Sequence, residues 1–330
     1  MKITVDAYGG DNCPIAAVDG AKSALRSDPE LEIVLVGNES ELNTLVGNEF
    51  GARLSVLRAD EVISCEDIPT EVIRDKPDSS MVVALSTLKK DSSAVVSSGS
   101  TGALLAGGIM KVGRLKGIPR PALCAVLPTK TGGEVLFLDC GANSECNEAM
   151  MCGFATAGRI YAQSVMGIEK PRIGLLNNGS ESTKGTAVHR EVYAMLSDNE
   201  PCFCGNAEGR DILSGKFDVI IADGFSGNIA IKTMEGTAST IFSILKSTIK
   251  SSGLRAKIGA LLLKPALKKT ASQLDYTERG GAVLLGLKSV VVKTHGSSDA
   301  NAFCASILQA RDIVAGGFCD KFAEKAGENR

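Results

Sequence analysis

The sequence predicts a three-layer α/β/α fold around a mostly parallel, mixed sheet. Two observations predict it. Strand-like apolar runs alternate with helix-length patterned segments along most of the chain, as expected when helices cover both faces of a parallel sheet. Many of those runs end in short, polar, Gly-containing turns that open the next helix, as in a βα unit. No internal repeat, low-complexity tract or linker breaks the pattern. Residues 1–330 therefore read as one compact α/β unit, with room for two lobes.

The elements follow in order. ITVDA (3–7) is a strand and 15–27 a helix; EIVLVG (32–37) and RLSVLRA (53–59) are the next strands. A helical pattern covers 79–90, then AVVSS (94–98) leads into a helix over 101–112. LCAVLPT and EVLFLDC are separated only by residues 130–133, Lys-Thr-Gly-Gly, so they read as a hairpin and add an antiparallel element. Helix 147–165, strand 172–178, helix 184–196, strand 219–223, helix 229–251, strand 289–294 and helix 299–315 complete the series.

Composition excludes several classes. A net charge of −2 leaves no basic surplus, so no nucleic-acid partner is expected. MKITVDA runs straight into a strand without an apolar leader, and no run approaches the roughly 18 apolar residues of a membrane span. The ten cysteines include no CxxC pair and read as reduced, small hydrophobes in a cytoplasmic protein. Cys202, Cys204 and His189 lack zinc spacing. No metal and no cofactor are expected.

The chemistry gathers in the turns. DAYGGDNCP, GSTGA, GANSE, GSESTKG, GFSGN and HGSSDA each follow a strand. Ligands of open α/β sheets bind outside the carboxyl ends of strands, so these six turns are expected to converge on one rim. In SSGSTGA, Gly99 and Gly102 let the backbone approach a ligand, and Ser98, Ser100 and Thr101 offer hydroxyls at a helix start, suiting phosphate or carboxylate. A plain N-cap by Ser100 or Thr101 is the blander reading. GSESTKGT is no P-loop, because Lys184 precedes Gly185 instead of following a glycine; Lys184 can still reach an anion. No GxGxxG follows the first strand and no G-x-S-x-G elbow is present.

Nine segments, in this order, are DAYGGD (6–11), SSGSTGALLAGG (97–108), LDCGAN (138–143), NNGSESTKG (177–185), GNAEGRD (205–211), DGFSGN (223–228), LLLKPALKK (261–269), YTERGGAVLLGL (276–287) and HGSSDA (295–300). Together they resemble the bacterial acyl-[acyl-carrier-protein]:phosphate acyltransferases of phospholipid synthesis, over residues 1 to about 316. Tyr8, where Met is expected, and the SECN segment at 144–147 depart from the pattern. The resemblance implies a fold similar to isopropylmalate dehydrogenase and phosphate acetyltransferase, in a homodimer. It implies acyl transfer from acyl carrier protein to inorganic phosphate, in the cytoplasm, at the periphery of a membrane.

That reaction needs no protein nucleophile. Phosphate is substantially a dianion at neutral pH, since a comparable phosphoryl group loses its second proton near pH 6. The enzyme must hold it, align it and stabilise the oxyanion. Ser98, Ser100, Thr101 and the amides near Gly102 are expected to cradle phosphate, with Lys184 adding charge. Asn143, Asn178 and Asn228 offer neutral donors, Asp223 orients one of them or places a proton, and His295 is the general-acid candidate. His295 as a loop cap, and His189 as a surface or structural residue, are the plainer readings.

Residues 229–269 form a basic amphipathic helical hairpin. Ile231, Met234, Ala238, Ile241, Leu245 and Ile249 recur at helical spacing, and no acid lies between Glu235 and Asp275. Lys257, Leu261, Leu262, Leu263, Lys264 and Lys268 make an apolar tip with basic flanks, suited to an anionic membrane surface or an acidic carrier protein. A dimerisation arm is the alternative. An acyl-CoA-dependent, phosphate acetyltransferase-like enzyme and a non-catalytic membrane adaptor are the rival functions.

Overall fold

The computed structural model describes residues 1–64, 66–274 and 280–328, with the side chains of 268–274 and 325–328 outside the described set. The first half runs β1 (Lys2–Asp6), α1 (Ile15–Ser27), β2 (Glu32–Gly37), α2 (Glu39–Val46), β3 (Leu54–Arg58), α3 (Pro69–Asp75), α4 (Ser80–Thr87) and β4 (Ala94–Ser97). Then come α5 (Thr101–Gly107), which continues as a π turn over Gly108–Val112, and the hairpin β5 (Ala122–Pro128) and β6 (Glu134–Leu138). The second half runs α6 (Glu148–Ser164), β7 (Ile173–Asn177), α7 (Ala187–Asn199), β8 (Phe203–Glu208), β9 (Val219–Ile221), α8 (Gly224–Ser251) and α9 (Leu254–Leu274). β10 (Ala282–Leu285), β11 (Val290–Lys293), α10 (Ala300–Ala315) and α11 (Phe318–Glu328) close the chain.

Among the described residues the strands form one 11-stranded sheet in the order β3-β2-β1-β4-β11-β10-β5-β6-β9-β7-β8. Its central strands are buried and alternate between two cores. Ala94 and Val96 face one side and Val95 the other; Val219 and Ile221 oppose Ile220 in the same way. The first core packs α1, α6 and α10 through residues such as Leu25, Phe154, Ile160 and Phe303. The second packs α3, α4, α5 and the start of α8 through Ile73, Met81, Leu104 and Ile231. Gly20 is required where α1 crosses α10, because a Cβ there would lie 2.4 Å from Phe303 Cβ. The predicted three layers are therefore present.

The strand directions correct the single-rim expectation. β1, β2, β3, β4 and β11 run parallel to one another, but β10 is antiparallel to β11, and β5 and β6 reverse direction again. β6, β9, β7 and β8 are then parallel among themselves and opposite to the first group. The carboxyl ends of β1, β4 and β11 lie at one edge of the sheet, and those of β6, β7 and β9 at the other. The six polar turns thus make two clusters of three.

Two further expectations change. The helical stretch Ala300–Glu324 is long and apolar enough to cross a bilayer by composition. It is a core element here: Phe303, Ile307, Ala310 and Ile313 are at most 1 % exposed. The basic segment is helical, as α8 and α9 joined at Ser252 and Gly253, and Leu261–Leu263 do not lie at that junction. Those leucines lie two turns into α9, and Pro265 sits inside that helix. α8 packs through Ile231, and its later apolar residues Ile241, Ile244 and Leu245 are exposed. The side chain of Lys268 lies outside the described residues.

Candidate active site

The first cluster joins the turns after β1, β4 and β11. They pack backbone against backbone, which explains the glycines. A Cβ on Gly9 would meet Gly99 N at 2.4 Å, and one on Gly10 would meet Ser98 Oγ at 2.5 Å and Gly296 O at 2.8 Å. Asp11 N–H donates to Gly296 O at 2.8 Å, and Asn12 Nδ2 donates to the carbonyls of Ser297 and Ser298 at 3.0 and 3.3 Å. Beneath them lies Asp6, 1 % exposed, whose Oδ2 accepts from Ser97 Oγ at 2.7 Å. Ser97 Oγ in turn accepts from Gly99 N–H at 3.1 Å, so Asp6 sets the shape of the Gly99 turn. Burial pushes the Asp6 carboxyl upward, while the hydroxyls of Ser80 and Ser97, the Tyr8 N–H and Lys293 oppose that shift.

Ser100 caps α5, accepting weakly from Ala103 N–H at 3.5 Å, and leaves Thr101 and Gly102 half-buried at the helix start. His295 is exposed and its Nδ1 lies 2.8 Å from Ser297 Oγ. The Ser297 N–H also points at Nδ1, at 3.3 Å. A main-chain N–H can only donate, so Nδ1 accepts and the neutral ring carries its proton on Nε2.

The second cluster joins the turns after β6, β7 and β9. Asp139 is fully buried and accepts five hydrogen bonds, from the N–H groups of Leu123, Gly141, Ala142 and Asn143 and from Asn143 Nδ2. Asn143 Nδ2 also donates to Pro121 O at 2.8 Å. Both its amide protons are committed, so Asn143 braces the turn and is not the substrate donor expected from sequence. Gly224 and Gly227 then let α8 start directly on this turn: Cβ atoms there would lie 2.3 Å from Asn143 O and 1.9 Å from Asp139 O. Asp223 caps α8 through Ser226 N–H at 2.9 Å, and Asn228 lies exposed beside Gly141.

Lys184 and Asn178 are exposed in the same cluster, on a loop held by its own amides. Asn178 Oδ1 accepts from Gly185 N–H at 3.1 Å, and Asn206 Nδ2 donates to Glu181 O at 2.8 Å. Gly185 has φ +86°, a left-handed conformation that favours glycine. Lys184 Nζ lies 3.9 Å from Glu181.

Comparisons with known proteins agree with this fold. A family model described as "Fatty acid synthesis protein" matches residues 1–321. A "Phosphate acyltransferase" of Streptococcus uberis is 46 % identical over 334 residues, covering 99 % of each chain. One of Streptococcus pneumoniae is 47 % identical over 316 residues, covering 95 % of each chain. The chain belongs to this family of phosphate acyltransferases. Among solved structures, a phosphotransacetylase from Streptococcus pyogenes shares the fold at TM-score 0.60 and 17 % identity, covering 95 % of this chain and 94 % of that one. A branched-chain phosphotransacylase from Enterococcus faecalis does so at 0.58 and 15 %, covering 95 % and 99 %.

In this family member, then, Ser98, Ser100, Thr101, Gly102 and His295 come together at one edge of the sheet. Asn143, Asn178, Lys184, Asp223 and Asn228 come together at the other. Sequence reasoning missed two residues. His189, taken for a surface or structural residue, lies with Nε2 3.6 Å from Asp223 Oδ2 and Nδ1 2.8 Å from Thr186 Oγ1. Its signal was the cap residue Thr186 three positions earlier. Lys293, read only as strand end, reaches Ser98 O at 3.2 Å. Two thiols border the clusters, Cys13 beside Ser98 and Cys146 beside Asn143 O. Burial pushes both upward, Cys146 to about 11, so neither is a thiolate at neutral pH.

Proposed function

We propose that this enzyme transfers a fatty acyl group from acyl carrier protein to inorganic phosphate, and that phosphate itself attacks the thioester. The observation that carries this reading is the junction of the β1, β4 and β11 turns. Three backbones meet at Gly9, Gly10, Gly99 and Gly296, bordered by the hydroxyl-rich segment from Ser98 to Thr101. Such a surface of N–H groups and hydroxyls suits an anion, and the neighbouring Cys13 is protonated. The names of the relatives, and of the solved structures with a like fold, support phosphate as the acceptor.

The step balances without a protein adduct. An oxygen of hydrogenphosphate bonds to the thioester carbon as the carbon–sulfur bond breaks. The electron pair leaves on sulfur, and the proton lost by phosphate ends there. A free thiol has a pKa near 8.5, so little acid assistance is needed. His295, with its proton on Nε2, is proposed to donate a hydrogen bond to the departing sulfur, and the proton passes from phosphate to sulfur through water. Ser98, Ser100, Thr101 and the amides near Gly102 hold the phosphate. Lys184, Asn178, Asp223 and Asn228 are proposed as contacts for the carrier-bound substrate, at the second cluster. The exposed Lys257, Leu261, Leu262, Leu263 and Lys264 of the hairpin are proposed to meet an anionic membrane surface, on a homodimer.

Purified protein with phosphate and either acyl carrier protein thioester or acyl-CoA tests the reading, with acyl phosphate trapped by hydroxylamine. Acyl hydroxamate from the carrier thioester is expected. Product from acyl-CoA alone supports the rival phosphate acetyltransferase-like activity.

A further inference from the structure

The second cluster is proposed to receive the carrier-bound thioester, and its edge of the sheet carries a charged surface that acyl transfer itself does not use. We infer that the basic loop 111–120, with Lys288 beside it, docks the acidic face of acyl carrier protein. The inference rests on carrier protein being the acyl donor.

From 92 to 133 the chain has no aspartate or glutamate, yet Lys111, Arg114, Lys116 and Arg120 fall within ten positions. Arg114, Lys116, Arg120 and Lys288 are exposed and Lys111 is half-buried. Two main-chain bonds bring Lys288 to the loop: Lys288 N–H donates to Gly113 O at 3.0 Å, and Leu115 N–H donates to Gly286 O at 2.8 Å. Leu115 and Ile118 are buried, so the loop turns its branched apolar side chains to the core and its charges to water. Arg114 also donates to Pro119 O, which closes the loop on itself. Among the described residues none of the five cations is in an ion pair, with Glu145 and Glu148 of the adjoining turn or with any other acid.

The same edge holds the second cluster. Ala122, which opens β5, pairs with Leu285 at the end of β10, and Leu138 at the end of β6 pairs with Cys124. Pro121 O accepts from Asn143 Nδ2 at 2.8 Å, and Leu123 N–H donates to Asp139 Oδ1 at 3.0 Å. Arg120 is thus one residue from the turn on which α8 starts, with Asp223 and Asn228 at its head. An acidic protein fits this loop better than a bilayer does. Membrane binding needs exposed apolar side chains among the cations, as α9 has in Leu261, Leu262 and Leu263. Loop 111–120 buries its own, and Met110, 43 % exposed, stands at its border. Cations on a fixed loop steer an acidic partner and set its orientation.

The triple variant Lys116→Glu, Arg120→Glu, Lys288→Glu tests the docking role, and the milder Lys116→Gln, Arg120→Gln, Lys288→Gln guards against misfolding. Carrier thioester and phosphate are varied in turn at low and high salt, with melting temperature, size-exclusion volume and flotation with anionic liposomes followed. Charge reversal is expected to raise the carrier-thioester KM by about 10-fold or more at low salt, with the phosphate KM within about twofold. The Gln set should show a smaller rise, and the salt dependence of the wild-type KM should flatten in both. If the wild type turns over the carrier thioester and neither variant moves its KM, the inference falls and the acyl-donor reading stands. If the wild type uses acyl-CoA alone, that reading falls and takes the inference with it. Lost flotation at an unchanged carrier-thioester KM assigns the loop to a membrane. A shifted elution volume with equal loss toward both substrates assigns it to a subunit interface, and either result overturns the docking role.

Discussion

Gly9→Ala tests the junction most sharply. The new Cβ would sit 2.4 Å from Gly99 N and 2.7 Å from Gly99 Cα, distances that no real Cβ keeps, and both atoms are backbone. Relief to 3.0 Å requires the turns after β1 and β4 to part by about 0.6 Å or more. Overpacking of this kind costs about 1–3 kcal/mol. At roughly 2.1 cal/mol/K of unfolding entropy per residue, a chain of this length loses only about 1.5–4 °C in Tm. Activity should suffer far more, because a shift approaching 1 Å at a reacting group costs up to about 100-fold. Gly296→Ala is the control: its Cβ meets only Asp11 Oδ2, at 3.9 Å, so turnover should stay within about twofold. Hydroxylamine-trapped acyl phosphate gives the rates and differential scanning fluorimetry gives Tm. Full turnover by Gly9→Ala, or equal loss in both variants, refutes the reasoning.

Three other perturbations follow from the same structure. Asp139→Asn replaces a five-fold acceptor with a group that itself donates, and should cost about 3 kcal/mol and about 4 °C in Tm; an unchanged melt contradicts its role as the brace of the second cluster. Burial alone would raise the Asp218 carboxyl, but the guanidinium and N–H of Arg172 override it and hold the group below the ordinary range. Its stabilisation is then present above about pH 4 and lost as pH falls through the lowered folded value, so Asp218→Asn should cost about 1 kcal/mol at pH 7. The difference in chemical stability from wild type should shrink below about pH 4, and a difference constant from pH 7 to 3 is the contrary result. Leu262→Glu, at a site 77 % exposed, should weaken flotation with anionic liposomes and leave acyl phosphate formation in detergent intact; unchanged flotation removes the membrane role.

The fold was legible where its signals are local. β2 was placed residue for residue, and the β5–β6 hairpin announced itself through residues 130–133. The strand alternation of Ala94, Val95 and Val96 fixed a buried strand whose two faces meet different cores. Strand direction was not legible, because it depends on partners far apart in the chain. β10 is four residues long, was seen only as part of a motif, and runs antiparallel to both β11 and β5, so β5 keeps the direction of β11 and the β5–β6 hairpin leaves β6, β9, β7 and β8 reversed.

The site followed the same division. Gly99 and Gly102 were read as letting the backbone approach a ligand; that Gly9 and Gly10 pack against the Gly99 turn follows from the pairing of β1 with β4, which the sequence does not carry locally. Asn143 was misread because its partners, Asp139 and the Pro121 carbonyl, absorb the amide that looked available. Lys293 escaped because a lysine ending a strand usually faces water, and only the register of β11 against β4 brings it to Ser98. His189 was hidden because Asp223, its neighbour across the second cluster, is 34 positions away in sequence.

The central claim is that phosphate displaces the thiol directly. Mixing the enzyme with acyl carrier protein thioester without phosphate, and following thiol release together with the intact mass of the enzyme, tests it most directly. Direct displacement predicts an unmodified polypeptide and thiol release only after phosphate is added. A burst of thiol without phosphate, with an acyl-mass increment on the protein that phosphate then discharges, contradicts it.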